Sequence, residues 1–343
     1  MVSKGLPLLW AAISLLLSLA GVALAIRIAM KAGVMDVPNE RSSHAVPVPR
    51  MGGVPLVLAT ILACIGFALS VPSPAGSIPH AAVVSLAFAA AMAVLGFRDD
   101  LSPLSPLFRF VVQTGAALAA CLIAARGNAA PVLLGVAIPG WAWVPAAAIW
   151  VVWMMNLYNF MDGIDGIAGG EALVGGLFLS AVFFAEGEPG WGAANLIVAS
   201  ASAGFLRYNW SPARIFLGDA GSMFLGAFFG IQSIAAGSTT AVPLVVLILP
   251  FSNFILDATV TLLRRMRRGE KWYRPHRSHF YQRMTDLGLS HASVTSIELL
   301  SMAASCLAAA GCLRAGGAVK AALVLLTGAM FLACGVAIAR RGK

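Results

Sequence analysis

Eleven apolar runs, each long enough to cross roughly 30 Å of hydrocarbon, set the pattern of this chain: about 6–30, 53–71, 80–97, 108–126, 141–159, 167–185, 190–206, 220–237, 240–263, 292–313 and 317–339. Polar residues collect in every second gap. The gaps at about 31–52, 98–108, 160–170, 207–219 and 264–291 carry nearly all of them, whereas the intervening connections, such as Pro72 to Ile78 and Glu186 to Pro189, are short. This alternation predicts an all-α polytopic membrane protein of about 11 transmembrane helices. It forms one integral membrane domain over 1–343, with its polar chemistry on a single face. Composition agrees and excludes a soluble domain: 59% of residues are hydrophobic, 11% are charged and the mean hydropathy is +0.87.

Basic residues assign that face to a side of the membrane. With the amino terminus outside, 19 Lys and Arg fall in the inner set of loops and tail, and only 4 (Lys4, Arg126, Arg314 and Lys320) fall outside. Short cytoplasmic loops accumulate such residues, so the amino terminus is expected in the periplasm and the tail, Arg340-Arg-Gly-Lys343, in the cytoplasm. Ala23-Leu-Ala25 has the small-x-small look of a leader cleavage site, but its apolar run is too long for a leader. Arg27 and Lys31 also follow that run as a cytoplasmic flank would, so it is expected to span. The cysteines, five in number and all within apolar runs, point to neither a disulfide framework nor a metal site.

On the polar face one stretch stands out, Asn156-Leu-Tyr-Asn-Phe-Met-Asp-Gly-Ile-Asp-Gly166. It holds Asn156, Asn159, Asp162 and Asp165, with no Lys or Arg between Trp153 and Arg207. Unpaired carboxylates beside a membrane signal function. Three residues apart, Asp162 and Asp165 would share one face of a helix, and Gly163, Gly166, Gly169 and Gly170 allow backbone to approach a ligand. Asp99 and Asp100 close the third run. Asp219 opens the eighth in Gly218-Asp-Ala-Gly-Ser222, a turn whose small residues offer backbone N–H groups to an anion such as phosphate. Five carboxylates at one rim would resist ionising together without a cation. Mg2+, commonly held by one or two carboxylates plus substrate phosphates, meets that need. The plainer alternative, solvated or helix-capping aspartates, stays open for Asp99, Asp100 or Asp219 taken singly.

The last polar gap is strongly basic. Arg264 to Arg268 read as positive-inside sequence against anionic headgroups. His276 and His279, flanked by Arg277 and Arg283, form a compact group of phosphate donors unless they are ordinary surface histidines. Asp257, about two turns inside the ninth run, is costly there. It either works or pairs with Arg264 or Arg265 and shapes the loop.

In this order, Phe97-Arg-Asp-Asp100, the Asn156–Gly166 stretch, Arg214-Ile-Phe-Leu-Gly-Asp-Ala-Gly-Ser222 and the histidine-bearing basic loop resemble the polyprenyl-phosphate N-acetylhexosamine-1-phosphate transferases of bacterial glycosyltransferase family 4. The wording is nearest the branch that starts O-antigen synthesis, with phospho-N-acetylmuramoyl-pentapeptide transferase a more distant relative. The resemblance runs from Asp36-Val-Pro-Asn-Glu-Arg-Ser-Ser-His44 and Pro49-Arg-Met-Gly-Gly53 onward. It implies that Asp99 and Asp100 lie near the lipid phosphate and the reacting centre, and that Asp219 is the principal Mg2+ ligand, with Asn159 beside it and Mn2+ as a substitute. It implies further that Asn156, Asn159, Asp162 and Asp165 line a nucleotide-sugar cleft, and that Arg214, Gly218, His276 and Arg277 meet substrate. His279 matches the first histidine of a phosphate-binding HxHH motif. Tyr281 and Gln282 stand where the other two histidines would be, which puts in doubt any mechanism needing more than one histidine unless His276 compensates. Relatives suggest a homodimer.

The implied reaction moves an N-acetylhexosamine 1-phosphate from a UDP-sugar to undecaprenyl phosphate at the cytoplasmic face of a bacterial inner membrane, releasing UMP. No nucleic acid takes part. A base role for Asp99 or Asp100 stays open, because a phosphate with a second pKa near ~6 is already mostly ionised. The choice among UDP-sugars stays open too. Among rivals, a peptidoglycan-type transfer is the nearest. A transporter would gather charge near the bilayer midplane, where only Asp257 and Glu298 fall, and a lipid phosphatase lacks an evident covalent nucleophile.

Overall fold

A computed structural model describes residues 5–36, 38, 46–71, 78–124, 132–133, 136–137, 139–271 and 276–341. Most of the Asp36–His44 motif and the segment 272–275 lie outside them. The chain is helical almost throughout: α1 (Gly5–Ala32), α2 (Gly53–Ser70), α3 (His80–Leu101), α4 (Pro106–Ala124), α5 (Gly140–Met161), α6 (Ile167–Ala185), α7 (Pro189–Asn209), α8 (Gly218–Thr239), α9 (Leu244–Ile248), α10 (Ser252–Arg267), α11 (Phe280–Asp286), α12 (His291–Cys312) and α13 (Gly317–Arg341). Two minimal antiparallel hairpins, β1 (Met35–Asp36) with β2 (Val48–Pro49) and β3 (Val132–Leu133) with β4 (Val136–Ala137), are the only strands among the described residues.

Ten stretches are long and apolar enough to cross a membrane, which bears out the all-α polytopic expectation. The run expected at 190–206 forms α7, but α7 is not among those ten. The reason lies in its polar residues. Asn195 and Gln232 of α8 exchange amide hydrogen bonds of 2.9 and 3.0 Å, and the α7 carbonyls of Ile197 and Ala201 accept from Ser14 and Ser18 of α1. Small and hydroxylated contacts of this kind glue helices where lipid offers no hydrophobic drive. The ninth run is broken rather than continuous. Pro250 sits in a 3-10 turn, Leu249–Phe251, between α9 and α10, where it lacks the N–H that an α-helix would need.

At the centre stands α8, almost wholly buried, with α3 and α5 packed along it and α1, α6 and α7 forming a neighbouring group. Aromatic packing fills the middle: Phe229 lies 4.7 Å from Phe251 and 6.1 Å from Tyr158 between ring centroids. Glycine sets the closest approach. A Cβ on Gly96 of α3 would collide with the Asp219 carbonyl at the start of α8, and one on Gly53 with the backbone of Gly221. The last turn of α3 is thereby brought against the first turn of α8, at the end of the bundle where α5 also finishes.

Replacing Gly96 by Val should therefore cost about 1–3 kcal/mol or more through overpacking. Thermal unfolding in detergent should show a clear fall in midpoint, and an unchanged midpoint would mean that the α3–α8 contact is looser than described.

Candidate active site

The carboxylates expected to converge do so, but each is held differently. Asp100, in the last turn of α3, places Oδ1 and Oδ2 3.0 Å each from the backbone N–H groups of Asp219 and Ala220. It is thus a cap supplied from another helix, satisfying N–H groups that α8 leaves without partners. Gly218 has φ +73°, and a Cβ there would stand 2.8 Å from Asp100 Oδ2. The expectation that this turn offers open N–H groups to a phosphate is corrected: Asp100 fills the turn, and Gly218 makes room for Asp100.

Asp99, one residue earlier, accepts the Leu104 N–H at 2.6 Å on Oδ1 and the Arg109 guanidinium at 2.5 Å on Oδ2. The same Arg109 nitrogen reaches Asp219 Oδ2 at 3.2 Å. Asn159 donates its amide N–H to Asp219 Oδ1 at 2.8 Å and to the Ser222 hydroxyl at 3.1 Å. Asp219 is therefore fixed by one amide and one cation. Asn156 lies a turn deeper and faces the bundle, donating to Gln113 Oε1 and to the Val152 carbonyl.

Asp162 and Asp165 do not share a helical face, because α5 ends at Met161. Asp162 follows it at φ −83°, ψ 53°, and Gly166, at φ 78°, starts α6 after a turn. Asp165 turns away from the acids: Oδ2 accepts the Ala213 N–H at 3.1 Å, Oδ1 lies 3.3 Å from His291 Nδ1, and its carbonyl accepts from the Thr295 hydroxyl. Burial works against its charge, but the His291 and Ala213 hydrogen bonds outweigh it, so its pKa is lowered. Asp162 lies among the acids. Burial, then the negative charge of Asp219, pushes its carboxyl up to about 7 against the pull of Arg50.

The stretch itself carries no Lys or Arg. Positive charge reaches these acids from distant segments, Arg109 of α4 and Arg50 beside β2, while His291 of α12 lies beside Asp165. Arg109 was legible as an arginine near the start of an apolar run.

The histidine loop closes one side. His279 is 3% exposed, and its Nδ1 lies 3.1 Å from Asp257 Oδ1. Asp257 thus pairs with His279 rather than with Arg264 or Arg265, the alternative that the sequence left open. Arg264 instead donates to the Ser278 carbonyl. His276 stacks on His279 with ring centroids 4.9 Å apart, and burial followed by the nearby His279 pushes its pKa down to about 4. Arg277 pairs with Asp286 at 3.1 Å. Arg214 lies exposed, its guanidinium 5.4 Å from the Tyr208 ring centre.

Tyr281 and Gln282, in place of histidines, are structural here. The Tyr281 hydroxyl donates to the Phe160 carbonyl at 3.1 Å, filling space that only a glycine at 163 leaves, while Gln282 Oε1 accepts the His279 N–H. They clamp the histidine loop to the Asn156–Gly166 stretch.

The pattern of glycosyl transferase family 4 matches residues 82–237, a span that holds Asp99, Asp100, Asp162, Asp165 and Asp219. A Bacillus subtilis (strain 168) protein, named as a probable undecaprenyl-phosphate N-acetylglucosaminyl 1-phosphate transferase, is 30% identical over 77% of this chain and 73% of its own length. This chain belongs to glycosyl transferase family 4. The family member from Escherichia coli O157:H7, named undecaprenyl-phosphate alpha-N-acetylglucosaminyl 1-phosphate transferase, is 25% identical over 82% of this chain and 77% of its own. A decaprenyl-phosphate N-acetylglucosaminephosphotransferase of Mycobacterium tuberculosis (strain CDC 1551 / Oshkosh) is 28% identical over 79% and 73%. As a family 4 member the chain is a multi-pass membrane transferase.

Does the site fit a divalent cation? No three His, Cys, Asp or Glu side chains are grouped as a metal cage among the described residues. Asp219 and Asp99 do share a bridging cation, the Arg109 guanidinium, so their oxygens already face a common positive charge. This fits Mg2+ held by one or two carboxylates plus substrate oxygens.

Two outcomes follow. Arg109→Gln should tighten Mn2+ binding to the purified protein about fivefold or more, read by electron paramagnetic resonance; unchanged or weaker binding would refute competition at Asp219. Asp162 holds its proton more tightly in the fold than in the unfolded chain. Its contribution to stability is therefore full below the ordinary carboxylate range and is lost as pH rises through about 7. Asp162→Asn should flatten the fall in melting temperature between pH 5 and 7, and an unaltered slope would contradict the shift.

Proposed function

We propose that this transferase moves an N-acetylhexosamine 1-phosphate from a UDP-sugar to undecaprenyl phosphate, starting a cell-envelope polysaccharide such as an O antigen. The observation that carries this reading is the meeting of Asp99, Arg109, Asn159 and Asp219 at one end of the bundle, within reach of the His279 loop through Tyr281. The names of the relatives supply the acceptor class and an N-acetylhexosamine donor. The 19 to 4 division of basic residues supports a site at the cytoplasmic face of a bacterial inner membrane.

Phosphoryl transfer asks a protein mainly for positioning and charge neutralisation. A lipid phosphate oxygen attacks the β-phosphorus of the UDP-sugar, the bond from that phosphorus to the bridging oxygen breaks, and UMP leaves. When bound at Asp219, Mg2+ supplies charge neutralisation to the diphosphate. Asn159 fixes the Asp219 carboxylate, and Arg109 lends positive charge beside it. Both oxygens of Asp99 and both of Asp100 already accept hydrogen bonds, so these two residues suit positioning better than proton removal. Asp162, poised at about 7, is the acid suited to take a proton from a lipid phosphate that arrives protonated. His279, its ring 6.5 Å from that of Phe160 in the acidic stretch, is the group we assign to the phosphates.

The test is incubation of purified protein with undecaprenyl phosphate, Mg2+ and a panel of UDP-sugars, scoring UMP. UMP should appear with at least one UDP-N-acetylhexosamine, and Asp219→Asn should lower the rate by about 10²–10³. A folded protein that releases no UMP with any donor would overturn the assignment.

A further inference from the structure

Asp257 is buried in the bundle, 0% exposed, yet it meets no Lys or Arg among the described ion pairs. Its neighbours are all hydrogen-bond donors. Oδ1 lies 3.1 Å from His279 Nδ1, 3.0 Å from the Phe280 N–H and 3.1 Å from the Thr261 hydroxyl, while Oδ2 accepts the Tyr281 N–H at 3.2 Å. Four donors on one carboxylate satisfy it without a cation, as a buried acid requires. Two of them are the first backbone N–H groups of α11, so Asp257 also caps that helix from α10.

We infer that Asp257 is a positioning residue: its carboxylate accepts the Nδ1–H of His279 and so aims the opposite nitrogen, Nε2, at the substrate phosphates, to which Nε2 donates once it too is protonated. A carboxylate can only accept at Nδ1, so it selects the tautomer, just as second-shell acids orient histidines at other sites. The ring is also locked in place. His276 stacks on one side at 4.9 Å and Tyr281 lies 5.7 Å away, so rotation would break packing as well as the hydrogen bond. The same carboxylate thus ties the ring angle to the start of α11, and Tyr281 carries that register on to Phe160 and the acidic stretch. This inference rests on His279 serving the phosphates.

Asp257→Ala removes the acceptor that faces Nδ1, and a neutral ring without it favours the proton on Nε2. The full-length protein, labelled with 15N-histidine in nanodiscs and free of substrate, should show the proton on Nδ1 in the wild type and mostly on Nε2 in Asp257→Ala. The kcat should fall about 10–100-fold with KM for the UDP-sugar little changed, and Asp257→Ala should cause no further loss in a His279→Ala background. Asp257→Glu, which retains the carboxylate, should keep the Nδ1 proton and recover part of kcat, and it covers the case in which the Ala variant fails to fold. An Nδ1 left protonated in Asp257→Ala, or a multiplicative loss in the double variant, would overturn the inference. Full activity in His279→Ala would instead defeat the role given to His279, leaving the nitrogen shifts to decide what Asp257 does to the ring.

Discussion

The insertion of Asp100 into the first turn of α8 is the contact on which the site depends. A helix start presents N–H groups with no partners inside the helix and the positive end of its dipole. Here two of those N–H groups are taken by a side chain from α3. The pairing works only because Gly96 lets the two helices touch and Gly218 leaves space for the carboxylate. Once α3 is docked in this way, Asp99 and Asp219 are brought within reach of one guanidinium. An acid that seemed a candidate for chemistry therefore acts first as a fastener, and its neighbour Asp99 holds the Arg109 guanidinium.

Much of this was legible in the chain. The apolar runs gave the helices to within a few residues, since a bilayer fixes both length and composition of a spanning segment. The motif order also brought Asp99, Asp100, Asn159, Asp162 and Asp219 to one end. What could not be read was orientation within the site. Whether Asp165 faces the acids or His291 depends on where α5 stops, and the glycines that stop it look identical, in sequence, to glycines that cradle a ligand. Likewise, Arg109 lies 110 residues from Asp219 along the chain and His291 lies 126 from Asp165, and only the fold brings them together. Spacing rules such as i,i+3 describe one helix and fail where it ends.

The replaced histidines show the same limit from the other side. On paper, Tyr281 and Gln282 look like lost donors. In the fold both are buried and each makes a specific bond, one to the Phe160 carbonyl and one to the His279 N–H. A phenol cannot stand in for an imidazole at a phosphate, and nothing here asks it to. The substitution exchanges chemical redundancy for a tighter clamp on the histidine that remains.

That exchange is tolerable because of the chemistry. A phosphoryl group passing between two oxygens needs little covalent help, and most of the barrier is met by holding charges in the right places. A second or third histidine adds donors, but a donor that wanders contributes less than one that is fixed. Here the fixed elements are a carboxylate held by Asn159, a guanidinium held by Asp99, and an imidazole held by Asp257. Each of these three candidate groups is thus restrained by a partner, and in all three cases that partner comes from a different helix or loop. Such restraint is what a membrane bundle supplies readily, since close helix packing must already satisfy every buried polar group. Fewer functional side chains, each more firmly placed, is a solution the bundle favours.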